Sequence, residues 1–267
     1  MRFLVPLAAV LVLSVPASAQ LGAAPASPPP PGLAEGEGAG HPKGGYGALD
    51  ALPDWGGIWF VMASRPGPDA PPPPVPKLRG QYLADYEAWR AEAIANEGVV
   101  ARERSNCSPP GLPRIMQLAQ YPYEFLFTPG RVTINQEAWM QTRTIWTDGR
   151  QHPPAEEIDP TFHGHSVGRW EGDTLVVETV GIDDSLEFGT NGMKHSDRFI
   201  LRERIHLDPE NPDVLVNEMR MEDPLALEEP FEVTTRYRRD RYGALIEFQC
   251  AENDRNPIDE EGMTLFE

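Results

Sequence analysis

The chain predicts a mainly β fold, an antiparallel β-barrel of about eight to ten strands with one packed N-terminal helix. Three features predict it. From residue 123 onward, apolar and polar side chains alternate with the two-residue period of half-buried strands. Turn residues interrupt that alternation at the intervals of an antiparallel meander. Only residues 78–96 carry a convincing helical period. So many consecutive strands must close or sandwich to protect their edges.

In chain order, Met1-Arg2, the apolar run over residues 3–15 and Ala17-Ser18-Ala19 read as a secretory signal cut before Gln20. Residues 20–52 are rich in Pro, Gly and Ala and cannot bury enough surface to order, so a flexible leader is expected. Residues 53–267 then form a single barrel domain. Within it, the proline-rich stretch 66–76 is an extended spacer. In the helix, Leu78, Tyr82, Leu83, Tyr86, Trp89 and Ile94 share a face that suits docking on a sheet, and Gly98 ends it. Strands are expected near 57–62, 123–128, 131–138, 140–147, 165–171, 174–180, 197–207, 214–222, 231–239 and 244–250.

Export bounds the chemistry. It places the protein in the periplasm or outside the cell, where Cys107 and Cys250 are expected to pair as a disulfide linking the domain's start to its last strand. The formal charge of -18 repels phosphate backbones and anionic lipid, so no nucleic-acid partner is expected. No stretch approaches the roughly twenty apolar residues of a membrane span, so no membrane insertion is expected.

Residues 161–180 hold three competing signatures. Gly164-His165-Ser166-Val167-Gly168 spells an esterase nucleophile elbow, which needs an apolar strand before the serine and a helix after it. Pro153, Pro154 and Pro160 lie upstream, and Trp170-Glu171-Gly172-Asp173-Thr174-Leu175 reads as a hairpin turn, so a serine hydrolase is a lesser alternative. His163 and His165 have chelate spacing, and with Glu171 and His195 they could hold a divalent metal in a cupin-like way. The step from His165 to Glu171 is longer than in cupins, and Glu157 stands where they carry glycine. No cofactor is otherwise expected, since no nucleotide-binding loop or redox cysteine pair is present.

Gly57-Ile58-Trp59, opening the first strand, resembles the lipocalins and the wider calycin group. The resemblance implies a basic residue from the last strand over that tryptophan, with Arg236 or Arg238 in position. The spacing to the second strand is longer than in lipocalins. Residues 107–253 are similar to a large group of exported bacterial proteins. The motifs shared with it are Asp148-Gly149-Arg150-x-His152-Pro153, the run from Gly164 through Trp170-Glu171-Gly172-Asp173 to Val177, His195-Ser196 and Glu203-Arg204. That resemblance implies kinship and export and carries no activity.

Strand parity supplies the candidate site. Phe199, Leu201, Ile205 and Leu207 share a face with Glu203, a carboxylate that burial would penalise by several kcal/mol unless Arg143 or Arg169 pairs with it or function holds it there. Gln136, Asn217 and Tyr237 are polar members of three other apolar rows. They could converge on a lumen suited to a small molecule, or belong to a filled core with satisfied polar atoms. The resulting expectation is a lumen that binds a small hydrophobic or aromatic molecule and performs non-hydrolytic acid–base chemistry, as a lyase, isomerase or cyclase. His165 and His195 would carry protons, Glu203 would be base or orienting acid, and Arg143 would stabilise an oxyanion. Gln136, Asp148, His152, Trp170, Asn217 and Tyr237 would line the ligand. The alternative is a carrier without turnover, with its histidines outside the lumen.

Overall fold

Alternation of apolar and polar side chains gives each strand one face that must leave water, and nine strands bury that face by closing on one another. The computed structural model describes residues 46–63, 74–98, 100–102, 107–188, 192–250, 260 and 264–266. Its strands are β1 (Ile58–Val61), β2 (Val100–Arg102), β3 (Tyr123–Thr128), β4 (Arg131–Gln136), β5 (Gln141–Trp146), β6 (His165–Glu171), β7 (Thr174–Val180), β8 (Ile200–Asp208), β9 (Asn211–Glu222), β10 (Phe231–Asp240) and β11 (Thr264–Phe266). The barrel order is β1-β10-β9-β8-β7-β6-β5-β4-β3, closed by β1 pairing with β3, and β2 and β11 form a separate two-stranded sheet. This is a mainly β, calycin-like barrel with one α-helix among the described residues.

Strands that alternate up and down around a ring must be even in number, so nine require a parallel junction. It lies between β5 and β6, where Ile145 pairs with Ser166 and Trp146 with Val167. The proline-rich segment 147–164 carries the chain back across the barrel to make it, as a parallel pair requires. The expected all-antiparallel meander is corrected at this one joint.

The inward row is packed with Trp59, Phe125, Ile134, Ile145, Leu175, Val177, Leu201, Ile205, Leu215 and Met219, together with Arg143, Ser166, Thr179, Glu203, Asn217 and Tyr237. At one mouth a short turn, Arg114–Gln117, plugs the opening. Tyr237 Oη donates to the Met116 carbonyl at 2.6 Å and Tyr123 Oη to that of Ile115 at 2.7 Å. At the other end Trp55 meets Phe125, Phe127 and Trp170 edge-on. Trp170 thus belongs to the core and not to a ligand site. Arg239, rather than Arg236 or Arg238, lies over the Trp59 ring at 4.6 Å, because the register sets Arg239 opposite Trp59.

Three further expectations change. Tyr46–Ala51, placed in the leader, is a 3-10 helix, while the expected signal peptide, residues 20–45 and most of the spacer lie outside the described residues. The helix α1 (Gly80–Ala95) buries no residue fully, and Ile94 stays exposed, so its contact runs through Tyr82 at Ser196, Tyr86 against the core and Trp89 against Gly192. Residues 244–250 form no strand. That segment lies across the plugged mouth, with the Ile246 amide donating to Glu137 Oε2 at 3.0 Å and Phe248 against Tyr121 and Trp139.

Cys107 and Cys250 are joined, with Cα atoms 5.3 Å apart across a separation of 143 residues. Constraining so long a loop in the unfolded chain stabilises the fold by about 4–5 kcal/mol in the chain-entropy model. Cys107→Ser with Cys250→Ser is expected to lower the urea unfolding free energy by that order, and a loss under 1 kcal/mol would refute the estimate.

Candidate functional site

The lumen expectation is answered by Glu203 and Arg143. Both are fully buried and joined by paired hydrogen bonds: Arg143 Nη1 donates to Glu203 Oε1 at 3.1 Å, and Nη2 donates to Oε2. Nη2 also reaches Thr179 Oγ1 at 3.0 Å, and Asn217 Nδ2 donates to Glu203 Oε1 at 2.9 Å. Fork-to-fork pairing, with Asn217 as a further donor to Glu203 Oε1, is what makes a desolvated ion pair tolerable. Gln136 lies near the plug, its Nε2 3.1 Å from Met116 Sδ. Gln136, Glu203, Asn217 and Tyr237 do face inward, but they meet side chains that fill the space. Burial and the neighbouring Tyr123 and Glu203 hold the Tyr237 phenol well above its ordinary range, so it remains a neutral donor.

Ser166 belongs to the same network. Its Oγ lies 2.8 Å from Thr179 Oγ1 and 3.3 Å from Arg143 Nη2, near the start of β6 with strand and not helix after it, and among the described residues no histidine bonds its hydroxyl. The flanking glycines have packing causes. A Cβ on Gly164, at φ 58°, would stand 2.4 Å from the Val180 carbonyl oxygen, and one on Gly168 would stand 2.8 Å from Ile145. The elbow motif is therefore a strand that must pack closely, and the hydrolase alternative lacks its geometry.

The histidines do not converge. With Ser166 turned inward, parity turns His165 outward, to the other side of the sheet from Glu203. His195 is buried beyond the start of β8 between Phe188 and Phe199, with Nδ1 3.0 Å from the Ser196 carbonyl oxygen. His163 sits at the mouth with Nδ1 3.3 Å from the Thr142 carbonyl oxygen, and Glu171 is held by Arg169 and Arg204. The proposed relay of His165, His195 and Glu203 is thus not assembled. The metal set His163, His165, Glu171 and His195 is dispersed likewise, and among the described residues no group of three or more His, Cys, Asp or Glu could hold a metal ion.

His165 meets another partner. Residues 148–152 cross the outer face of the barrel, stiffened by Arg150, whose Nε and Nη2 reach the Asp148 carboxylate at 3.0 and 2.6 Å and whose guanidinium lies 3.7 Å from the Trp146 ring centre. Burial pushes the Asp148 carboxyl up, but the bonds and charge of Arg150 outweigh it and hold it below its ordinary value. Asp148 is therefore a fastener of this segment. The segment brings His152 Nδ1 to 2.8 Å from His165 Nδ1. Glu178 Oε1 lies 3.5 Å from His152 Nε2, too far for a formed hydrogen bond but close enough to favour a proton on that nitrogen. Neutral His152 then has a lone pair on Nδ1, which accepts the Nδ1–H of His165. Both rings titrate below the ordinary imidazole range. For His152 burial dominates against Glu178, and for His165 burial is joined by the charges of His152 and Arg150.

His152 forms one wall of a half-open groove of about 710 Å³ on the outside of β6 to β10. Val167 and Val176 supply apolar floor. Across it run Glu178, Arg202, Arg220 and Glu232, aligned by register and joined by ion pairs, a solvated row in which each pair contributes little.

Reasoning from the inward rows does not reach Glu178 and Arg150. Outward parity on β7 and the Asp148-Gly149-Arg150 run are the sequence signals that point to them. Among the described residues no helix is long and apolar enough to cross a membrane. Comparison with family models and with curated proteins finds no match to this chain, so the functional reading rests on the geometry of its own residues.

Proposed function

We propose that this is an exported small-molecule-binding barrel whose ligand occupies the groove outside β6 to β10 and exchanges protons with His152 and His165. The observation that carries the reading is the 2.8 Å contact of His165 with His152, the imidazole that borders that groove. Their lowered pKa values hold both rings in the neutral form at neutral pH, the form a general base requires. A ligand with an apolar or aromatic body and polar edges suits a valine floor rimmed by arginine and glutamate. The chemistry is non-hydrolytic proton transfer, of lyase or isomerase type, because the one motif serine is occupied in the core. The disulfide supports periplasmic or extracellular residence.

Metabolite profiling of a strain lacking the protein identifies candidate ligands, and amide shifts place them. Binding is expected to shift Gly168, Val176 and Arg202, and shifts confined to Gln136 and His195 would overturn the groove. His152→Gln and His165→Gln are each expected to lower turnover by about 10²- to 10⁴-fold while retaining binding. Groove binding with no turnover in the wild-type protein would leave a carrier.

A further inference from the structure

We propose that His152 and His165 also form a site for a divalent transition-metal cation of the Zn²⁺ class, bound between their Nδ1 atoms. The inference goes beyond the proton-transfer reading and uses only the placement of the pair. Two imidazole nitrogens on a tetrahedral Zn²⁺, each roughly 2.0–2.1 Å from it, stand about 3.3 Å apart. The observed 2.8 Å must open by about half an ångström, and the rings, which meet nearly head-on with centroids 5.0 Å apart, must turn so that both lone pairs point at the metal. His152 lies on a segment outside the sheet, so the adjustment falls on a loop while β6 fixes His165.

Three further observations favour a cation here. Glu178 stands 3.5 Å behind His152 Nε2, close to the carboxylate-behind-imidazole arrangement that leaves the other ring nitrogen to ligate. His152 borders an open groove, so water can complete the coordination sphere. The net charge of -18 draws cations toward the surface. Arg150 is the opposing charge nearby, and the Asp148 carboxylate neutralises it. Two imidazoles suit Zn²⁺ or Cu²⁺ and not the oxygen-seeking Mg²⁺.

Protons balance without an outside acid or base. At neutral pH the Nδ1–H of His165 is lost as Nδ1 takes the metal, and a proton is regained at Nε2, so the ring stays neutral and changes tautomer. In acid, binding must instead expel a proton, and affinity falls.

The test uses the full mature protein, stripped with a chelator and titrated with ZnCl₂ at pH 7.5 by calorimetry and by ¹⁵N imidazole spectroscopy, with MgCl₂ as control. The expected result is one Zn²⁺ per chain, a His165 tautomer switch, and affinity reduced on the order of tenfold or more in His152→Gln and in His165→Gln at unchanged melting temperature. His163→Gln is expected to bind as the wild type does. No binding by 100 µM Zn²⁺ (on the order of the weakest site worth naming), equal binding of Mg²⁺, or Zn²⁺ binding that survives both substitutions would overturn the site. Should a variant unfold, the tautomer switch in the wild-type protein decides alone. A shared proton without Zn²⁺ binding removes the metal and leaves the proton-transfer reading standing.

Discussion

Glu203→Ala is expected to lower the unfolding free energy by about 3–5 kcal/mol, because it strands the Arg143 guanidinium without a counter-charge in the middle of the barrel. The size follows from asymmetry: removing one partner leaves the desolvation penalty of the other, whereas removing both does not. Arg143→Met combined with Glu203→Leu is therefore expected to recover part of the loss, short of full recovery because Ser166, Thr179 and Asn217 lose partners too. Urea unfolding followed by tryptophan fluorescence measures both variants. A loss below about 1 kcal/mol for Glu203→Ala would mean that water reaches Arg143, and the filled lumen would be wrong.

Acid is expected to destabilise the fold steeply between pH 6.5 and pH 4. Burial, with the nearby Arg143 charge, pushes the His163 imidazole down to about 4, and burial lowers His195, His152 and His165 as well. Above pH 6.5 these rings are neutral in both states and cost nothing. As pH falls below 6.5 the unfolded chain takes up protons that the folded one refuses, so stability is lost progressively until the folded ring also protonates. For His163, whose ring is largely buried, the loss completed near pH 4 is about 3 kcal/mol. His163→Asn keeps a donor for the Thr142 carbonyl and removes the titrating group, so it should flatten the pH dependence by about that amount. Unfolding free energies at pH 7.5, 6, 5 and 4 provide the check, and parallel curves for wild type and variant would refute it.

The fold was legible because its signals are local. Strands 123–128, 165–171 and 174–180 begin and end where alternation and the Gly172 turn place them. The parallel joint between β5 and β6 was not legible, since nothing in the proline-rich crossover states which neighbour it reaches. Burial of Glu203 could be read from its apolar row, and Arg143 was one of two partners named for it. The inward face of β6 was ambiguous, because Ser166, Gly168 and Trp170 alternate with His165, Val167 and Arg169, and neither set is plainly apolar. Packing decides it: the side that must accommodate Ile145 and Arg143 takes the small residues. That choice moves His165 outside and exchanges the expected partner His195 for His152.

The most direct measurement is a ¹⁵N and ¹H pH titration of the imidazoles in the uniformly labelled protein. His152 is expected to be protonated on Nε2 and His165 on Nδ1, with through-hydrogen-bond coupling between the two Nδ1 atoms and both rings titrating below the ordinary imidazole value as a linked pair. Two imidazoles that titrate independently near the ordinary value, with no coupling between them, would contradict it.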